Sequence, residues 1–558
     1  MVTLLIANVS GGVGQEPSPS AKALFERYAL RETMGFSRLG LALAIASLAV
    51  IASGTVGSAA LADDVMAAST SDTDAENSTG EDATTSMDRG TLPDPPEDRI
   101  GWEGGYWYNE SIHVEQSDGL SAAELRRYKY RTMARLEEIR GLEFTDDVEI
   151  EFIGTGAVAD RLDNNISQFR GSDRQWEALF VVGEDREADR VVFETLVGRV
   201  AGWAAEEGSE SVVLITDDPD EPTAPPRLLA HELAHVLQHQ QFDLDADRYR
   251  RETLDGEHAK DALVEGEASY LDGVYQQYCA NGSWDCVNGG SFATARGDVE
   301  RDLLPYLGAP YTLGSQYVGH LVDRGGFEAV GDAHRNPPEY SVTALHGERT
   351  ESGRRAGIAP ASPLTVPDRS SDEWTRRDDP DRVGAMALTA SIGDDALAWR
   401  NDALYSYTDG SADGYVWATR WSNETTAEAF AEAYRQRVRS HGGTQRTAAV
   451  WEITTGPFAD AFSIERAGDT VRIVNAPAVA DLDAIHAGAG PSEQDDSTPT
   501  PRNTASKTSV GDTGPPTSSG PTATETSPAT ADGDGPGFGV VASLVALFAV
   551  GVARRKTT

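Results

Sequence analysis

The sequence predicts an α+β fold: a mixed sheet with helices that leads into a helical half, followed by a small α+β module. Three observations predict it. Up to about residue 220, short stretches with strand-like alternation or a solid apolar centre are interleaved with longer stretches of helical apolar spacing. Beyond Pro380, helix and strand patterns return together after a long interval of helical spacing. The chain has 558 residues, too many for one ordinary core, so more than one folded region is expected between its tails.

The elements follow in order. "GWEGGYWYNESIHV" opens the globular part with aromatic residues, read as core or as a cap over an apolar surface; a ligand-binding aromatic patch is the alternative. "SAAELRRYKYRTMARLEEIRGLEF" has helical spacing, with Ser121 at the N-cap and Glu124 at the capping-box position. "DVEIEFI" alternates as a strand does, and "WEALFVVG" is expected to form a second strand. "READRVVFETLVGRVAGWAAEEG" reads as a helix running into a turn, and "ESVVLITDD" as a strand with a buried centre. Pro222, Pro225 and Pro226 break the chain before a helix in which Leu228, Leu229, Leu233, Val236 and Leu237 recur at helical spacing. "HAKDALVEGEASYLDGVYQQYCA" reads as the next helix. In the terminal module, "RVGAMALTASIGDD", "GYVWATRW", "TTAEAFAEAYRQRVRS" and "AVWEITTG" read as helix, strand, helix and strand. "IERAGDTVRIV" reads as a hairpin turning at Ala467-Gly468-Asp469.

The charge balance is 90 acidic against 47 basic residues, only five of them lysine, for a net charge of −43. That excludes a nucleic-acid partner, which needs a positive face to neutralise phosphates. The acid is spread along the chain, as on a solvated surface working in high salt where self-repulsion is screened; an acidic mesophilic secreted protein is the alternative. Residues 1–62 form a leader containing a secretory signal: from Met34, the expected true start, Arg38 precedes an apolar stretch ending at Ala60-Leu61-Ala62. An uncleaved N-terminal anchor is the alternative. An acidic linker (63–98) and a Thr/Ser/Pro-rich stalk (491–535) lack the large apolar residues a core needs, and they flank the folded regions 99–378 and 379–490. Sequons stand at Asn77, Asn109, Asn165, Asn281 and Asn423. Cys279 and Cys286 are the only cysteines, and outside the cell they are expected to close a short disulfide loop rather than bind metal.

In residues 536–558, Pro536-Gly537-Phe538, a 16-residue apolar run to Ala553 and then Arg554, Arg555 and Lys556 resemble the PGF-CTERM sorting signal of haloarchaeal surface proteins. The resemblance implies a sorting enzyme that removes the segment and a membrane lipid that replaces it. A plain transmembrane anchor is the alternative, although the run is just short of the ~17–25 residues that span a bilayer.

The candidate site begins in "RLLAHELAHVLQHQQFDL". His231 and His235 stand four apart on the predicted helix, so both imidazoles leave one face, as a single Zn²⁺ requires of two ligands. Glu232 lies beside the first histidine, where it can take a proton from the attacking water and pass it to a leaving amine. This is the H-E-x-x-H string of the zincins. After 29 residues comes E-G-x-A with Glu265 first, which resembles the glutamate helix of the gluzincin zinc peptidases. The resemblance implies a zincin-like core, a His231–His235–Glu265 zinc site and a peptide or protein substrate. Glu267 competes as a ligand but stands about 200° round the helix from Glu265. His239 continues the histidine stripe, but a straight helix carries it to the rim. Pro310-Tyr311-x-x-Gly314, expected to open a helix, resembles the P-Y-x-x-G of leukotriene-hydrolase-like aminopeptidases, which implies that Tyr311 assists the oxyanion. Tyr317 is the weaker alternative. "NPPEYSVTALHG" resembles a segment of archaeal and bacterial H-E-x-x-H surface proteins, with Val342 and Ala344 departing from it, and makes His346 a further candidate. Across roughly Gly101 to Trp421 and the tail, the chain resembles haloarchaeal H-E-x-x-H surface proteins carrying PGF-CTERM anchors. Two functions remain open: a surface-anchored zinc peptidase, whose peptide would line an edge strand such as "ESVVLITDD", or a structural or adhesive surface glycoprotein with a structural metal.

Overall fold

A computed structural model describes residues 94–163, 172–204, 211–295, 297–345, 364–377 and 379–491; the leader, His346 and the C-terminal segment lie outside the described residues. The class is α+β, with long helices and several sheets. A two-stranded hairpin, β1 (Trp102–Glu103) and β2 (Tyr106–Trp107), lies against α1 (Ala122–Arg140) and buries Trp107. The Ser121 hydroxyl accepts from the Glu124 N–H and the Glu124 carboxylate accepts from the Ser121 N–H, a closed capping box that fixes where α1 begins.

β3 (Glu149–Gly154) is followed by α2 (Val158–Asp163), α3 (Asp173–Ala178), α4 (Ala188–Val197), β4 (Gly202–Ala204) and β5 (Ser211–Thr216). The sheet order is β3-β5-β4, with β3 parallel and β4 antiparallel to β5. Two sequence expectations need correction here. "WEALFVVG" is not a strand: Ser172 and Gln175 form a capping box that takes Trp176 into α3, and Phe180 then turns the chain at φ 57°. Its residues from Trp176 to Val182 are all buried, because the run plugs a core from every side instead of presenting one face. "ESVVLITDD" is not an edge strand, since β5 is central; β3 and β4 are the edges. β4 itself falls inside a run read as helix and turn.

Next come α5 (Pro226–Phe242), α6 (Leu254–Ala280) and α7 (Leu304–Arg335), then the short α8 (Ser341–Leu345). α6 starts earlier than expected, where the Thr253 side chain accepts from the Gly256 N–H. Pro310 lies inside α7 rather than opening it; the first turn is taken by Pro305, and Gly325-Gly326 breaks the helix near its end. Cys279 and Cys286 are bonded, and their loop seats Trp284 under the Arg135 guanidinium of α1.

The terminal part holds β6 (Thr375–Arg376), α9 (Gly384–Ile392), β7 (Trp399–Thr408), β8 (Asp413–Trp421), α10 (Glu424–Ser440), β9 (Thr444–Gln445), β10 (Val450–Glu452), β11 (Ala461–Ala467), β12 (Thr470–Ala476) and α11 (Leu482–Ile485). Its seven strands form one antiparallel sheet in the order β6-β7-β8-β12-β11-β10-β9. The β11–β12 hairpin turns at Gly468-Asp469. One continuous core joins this sheet to the earlier half: Trp417, Phe430 and Phe462 pack with Trp176, Phe180 and Val192.

Candidate metal centre

The middle of α5, residues 228–238, is buried on every side. Leu228, Leu229, Leu233, Val236 and Leu237 pack into the core shared with α1 and β5. The opposite face is polar yet equally buried: His231 and Glu232 are each 1% exposed and His235 0%. α6 crosses this face and sets Glu265, 4% exposed, against the two imidazoles. His231 Nε2 and His235 Nε2 lie 3.2 Å apart, and Glu265 Oε2 lies 3.4 and 3.3 Å from them.

The outer hydrogen bonds determine which ring nitrogens carry protons. Asp272, two helical turns beyond Glu265, accepts from Arg227 Nε and Gln276 Nε2, so its Oδ2 also accepts from His231 Nδ1, at 3.1 Å. The Gln238 amide donates to the Val264 carbonyl and to Glu267 Oε2, which leaves Gln238 Oε1 to accept from His235 Nδ1 at 2.9 Å. In the neutral forms that these bonds select, both Nε2 atoms present lone pairs, and with Glu265 Oε2 three acceptors converge in a buried place. That arrangement demands positive charge. A proton on Nε2 is one way to meet that demand: burial disfavours a charged His231, but Asp272 and Glu265 outweigh it and raise His231 to about 10, so a bound cation would take the place of that proton. Burial likewise pushes Glu265 up, yet His235 and His231 hold it at about 2. The donor set fits a cation. Four ligands placed tetrahedrally at ~2.0–2.1 Å stand roughly 3.3–3.4 Å apart, close to the three separations found.

The remaining candidates divide sharply. The Glu232 carboxylate accepts from the Ala204 N–H of β4, while its Oε2 is buried without a hydrogen-bond partner; burial raises it to about 7 against the pull of both imidazoles. Tyr311 stacks beside the His231 ring at 6.0 Å between centroids. Tyr317 packs in the apolar core between α6 and α7. His239 is half-buried, lowered to about 4 by burial and by His235, and lies outside the cluster. Glu267 points to the far side of α6, where it meets Arg140, His334 and Gln238. In another cluster, Glu177, Glu184 and Asp460, Arg174 bridges the two glutamates and supplies a cation there already. Sequence reasoning missed Gln238 and Asp272. Their offsets of three from His235 and seven from Glu265 put them on the ligand faces, a signal that was available.

Comparison with known proteins adds two findings. Residues 378–486 match a family described as a domain of unknown function (DUF8575), and residues 535–556 match the PGF-CTERM motif. No curated protein and no solved structure matches the chain. Among the described residues no helix is long and apolar enough to cross a membrane. The PGF-CTERM motif marks archaeal cell-surface proteins anchored in the membrane after processing, and this chain is such a surface-anchored protein.

Proposed function

We propose that the protein is a zinc-dependent peptidase of gluzincin type with a zincin-like core, working at the cell surface. One observation carries the reading: His231 Nε2, His235 Nε2 and Glu265 Oε2 converge as acceptors at 3.2–3.4 Å, a spacing suited to a tetrahedral zinc. Two nitrogen donors disfavour Ca²⁺ and Mg²⁺, which take oxygen. When bound, zinc would polarise the scissile carbonyl and lower the pKa of the attacking water. Glu232, held against β4 and raised toward neutrality, is suited to take that proton and deliver it to the leaving amine. The outer edge of β4 would align the peptide backbone, and Tyr311 would donate to the developing oxyanion.

The burial of His231, Glu232, His235 and Glu265 favours a second reading, a metal staple in a surface glycoprotein. A staple needs a fourth protein ligand. Among the described residues, however, Glu267 is engaged elsewhere and His239 stands outside the cluster. The test is zinc content and peptide cleavage of the whole protein in molar salt. The wild type should carry about one zinc. Glu232→Gln should keep the metal and lose at least ~10²-fold in rate. Tyr311→Phe should cost less than about 10³-fold with metal retained. A zinc-loaded wild type that cleaves no member of a broad peptide library would establish the staple instead.

A further inference from the structure

The Glu267 carboxylate sits where four helices meet. It takes Arg140 Nε from α1, His334 Nε2 from α7 at 2.7 Å and Gln238 Nε2 from α5 at 2.8 Å, while belonging to α6. All of these groups are buried. His334 is itself held: the Tyr249 hydroxyl donates to its carbonyl at 3.0 Å and lies 2.8 Å from its Nδ1, and Phe242 stacks on the ring at 4.2 Å. Glu267 faces away from the Glu265 side of α6, yet it fixes the Gln238 amide that touches His235. An amide has two orientations. With Nε2 drawn toward Glu267 and the Val264 carbonyl, only Oε1 can face His235 Nδ1.

We infer that Gln238, locked by Glu267, is a positioning residue that holds His235 in the Nδ1–H form and so keeps its Nε2 lone pair available to zinc. Without the lock, the amide could turn its NH₂ toward His235 and select the opposite tautomer, whose Nε2 carries a proton and cannot ligate. Outer partners of this kind commonly change metal affinity 10–100-fold. Asp272 needs no such lock, because a carboxylate can only accept from His231. The two histidines are thus oriented by different means, and of the two only His235 needs a third residue to fix which atom of its partner faces it.

The inference rests on the zinc reading above, and the experiment separates the two. Zinc affinity of the whole protein is measured by chelator competition in molar salt for wild type, Gln238→Leu, Glu267→Gln and the double variant. Thermal unfolding of the metal-free forms is measured in parallel. Each single variant should weaken zinc about 10–100-fold. The double variant should be no weaker than Gln238→Leu, since Glu267 acts on the metal only through Gln238. A merely structural Glu267 would give additive losses in zinc affinity that follow the losses in thermal stability. Additive losses, or unchanged zinc affinity in Gln238→Leu, would overturn the inference while leaving the zinc site standing. If Gln238→Leu fails to fold, Glu267→Gln alone decides: a metal-free protein of near wild-type stability with unaltered zinc affinity sinks it. Absence of zinc binding by the wild type would instead remove the zinc reading, and this inference with it.

Discussion

Glu137 and Glu103 face one another beneath the aromatic hairpin. Glu137 accepts from the Gly101 and Phe144 N–H groups and is buried, and burial together with Glu103 raises it to about 9. Burial raises Glu103 to about 7, helped by Asp98. Both folded values exceed that of an unfolded glutamate, so the folded state binds protons more tightly. Their contribution is complete below about pH 4 and is lost as pH rises through 7 and 9. The folding constant should fall by at most about tenfold per pH unit for each proton. Glu137→Gln keeps a donor toward Glu103 but has no proton to lose. It should flatten this slope in thermal unfolding followed from pH 5 to 9, while sacrificing one backbone hydrogen bond worth about 1 kcal/mol. An unaltered slope would mean that the pair does not share a proton. Residue-scale legibility was uneven in the same way. The helical period put His231 and His235 on one face, the E-G-x-A resemblance pointed to Glu265, and the three do come together. The roles of Gln238 and Glu267 were hidden, because an acceptor is defined by partners on other helices that no local spacing reveals.

At the scale of elements, two glycines explain why the motif strings lie where they do. A Cβ on Gly314 would come within 2.4 Å of the Ala262 carbonyl, and one on Gly266 within 2.4 Å of the Gly314 carbonyl carbon. α6 and α7 therefore cross backbone to backbone, and that contact brings Tyr311, three residues before Gly314, beside His231. Gly314→Ala should force the helices apart and cost about 1–3 kcal/mol, read as a lowered melting temperature. Zinc should stay bound, since its three proposed ligands lie on α5 and α6, while peptide cleavage falls through Tyr311. An unchanged melting temperature would show that the crossing has slack. The long amphipathic helices were legible because their period persists over several turns. β4 was not: three residues, Gly202-Trp203-Ala204, carry no period, and their strand state comes from pairing with β5. Phe180 and its neighbours deceived for a related reason. A solid apolar run announces burial, and only the tertiary fold decides between strand and plug.

For the whole molecule, charge is the dominant fact. The sequence carries 43 more acidic than basic residues, and the surface ion pairs that do form, such as Arg439–Glu432 and Arg466–Glu428, are exposed pairs worth little individually. Self-repulsion among the unpaired carboxylates must therefore oppose folding unless it is screened. Screening is set by the Debye length, ~10 Å at 0.1 M salt and ~3 Å at 1 M, so most of the relief should arrive between those concentrations. The melting temperature should accordingly rise steeply from 0.1 to 1 M KCl and flatten above it. Preferential exclusion of solute from apolar surface would also stabilise the fold, but it continues to grow with concentration and is reproduced by sucrose. Melting curves in KCl, NaCl and sucrose separate the causes. Screening requires that KCl and NaCl act alike at equal ionic strength and that sucrose does not replace them. The buried pairs Arg140–Glu267 and Arg174–Glu177 are shielded from solvent ions, so their own contribution to stability should change little over the same interval. A melting temperature indifferent to salt would show that the acidic surface is already neutralised, by bound cations or by carboxyls that retain their protons.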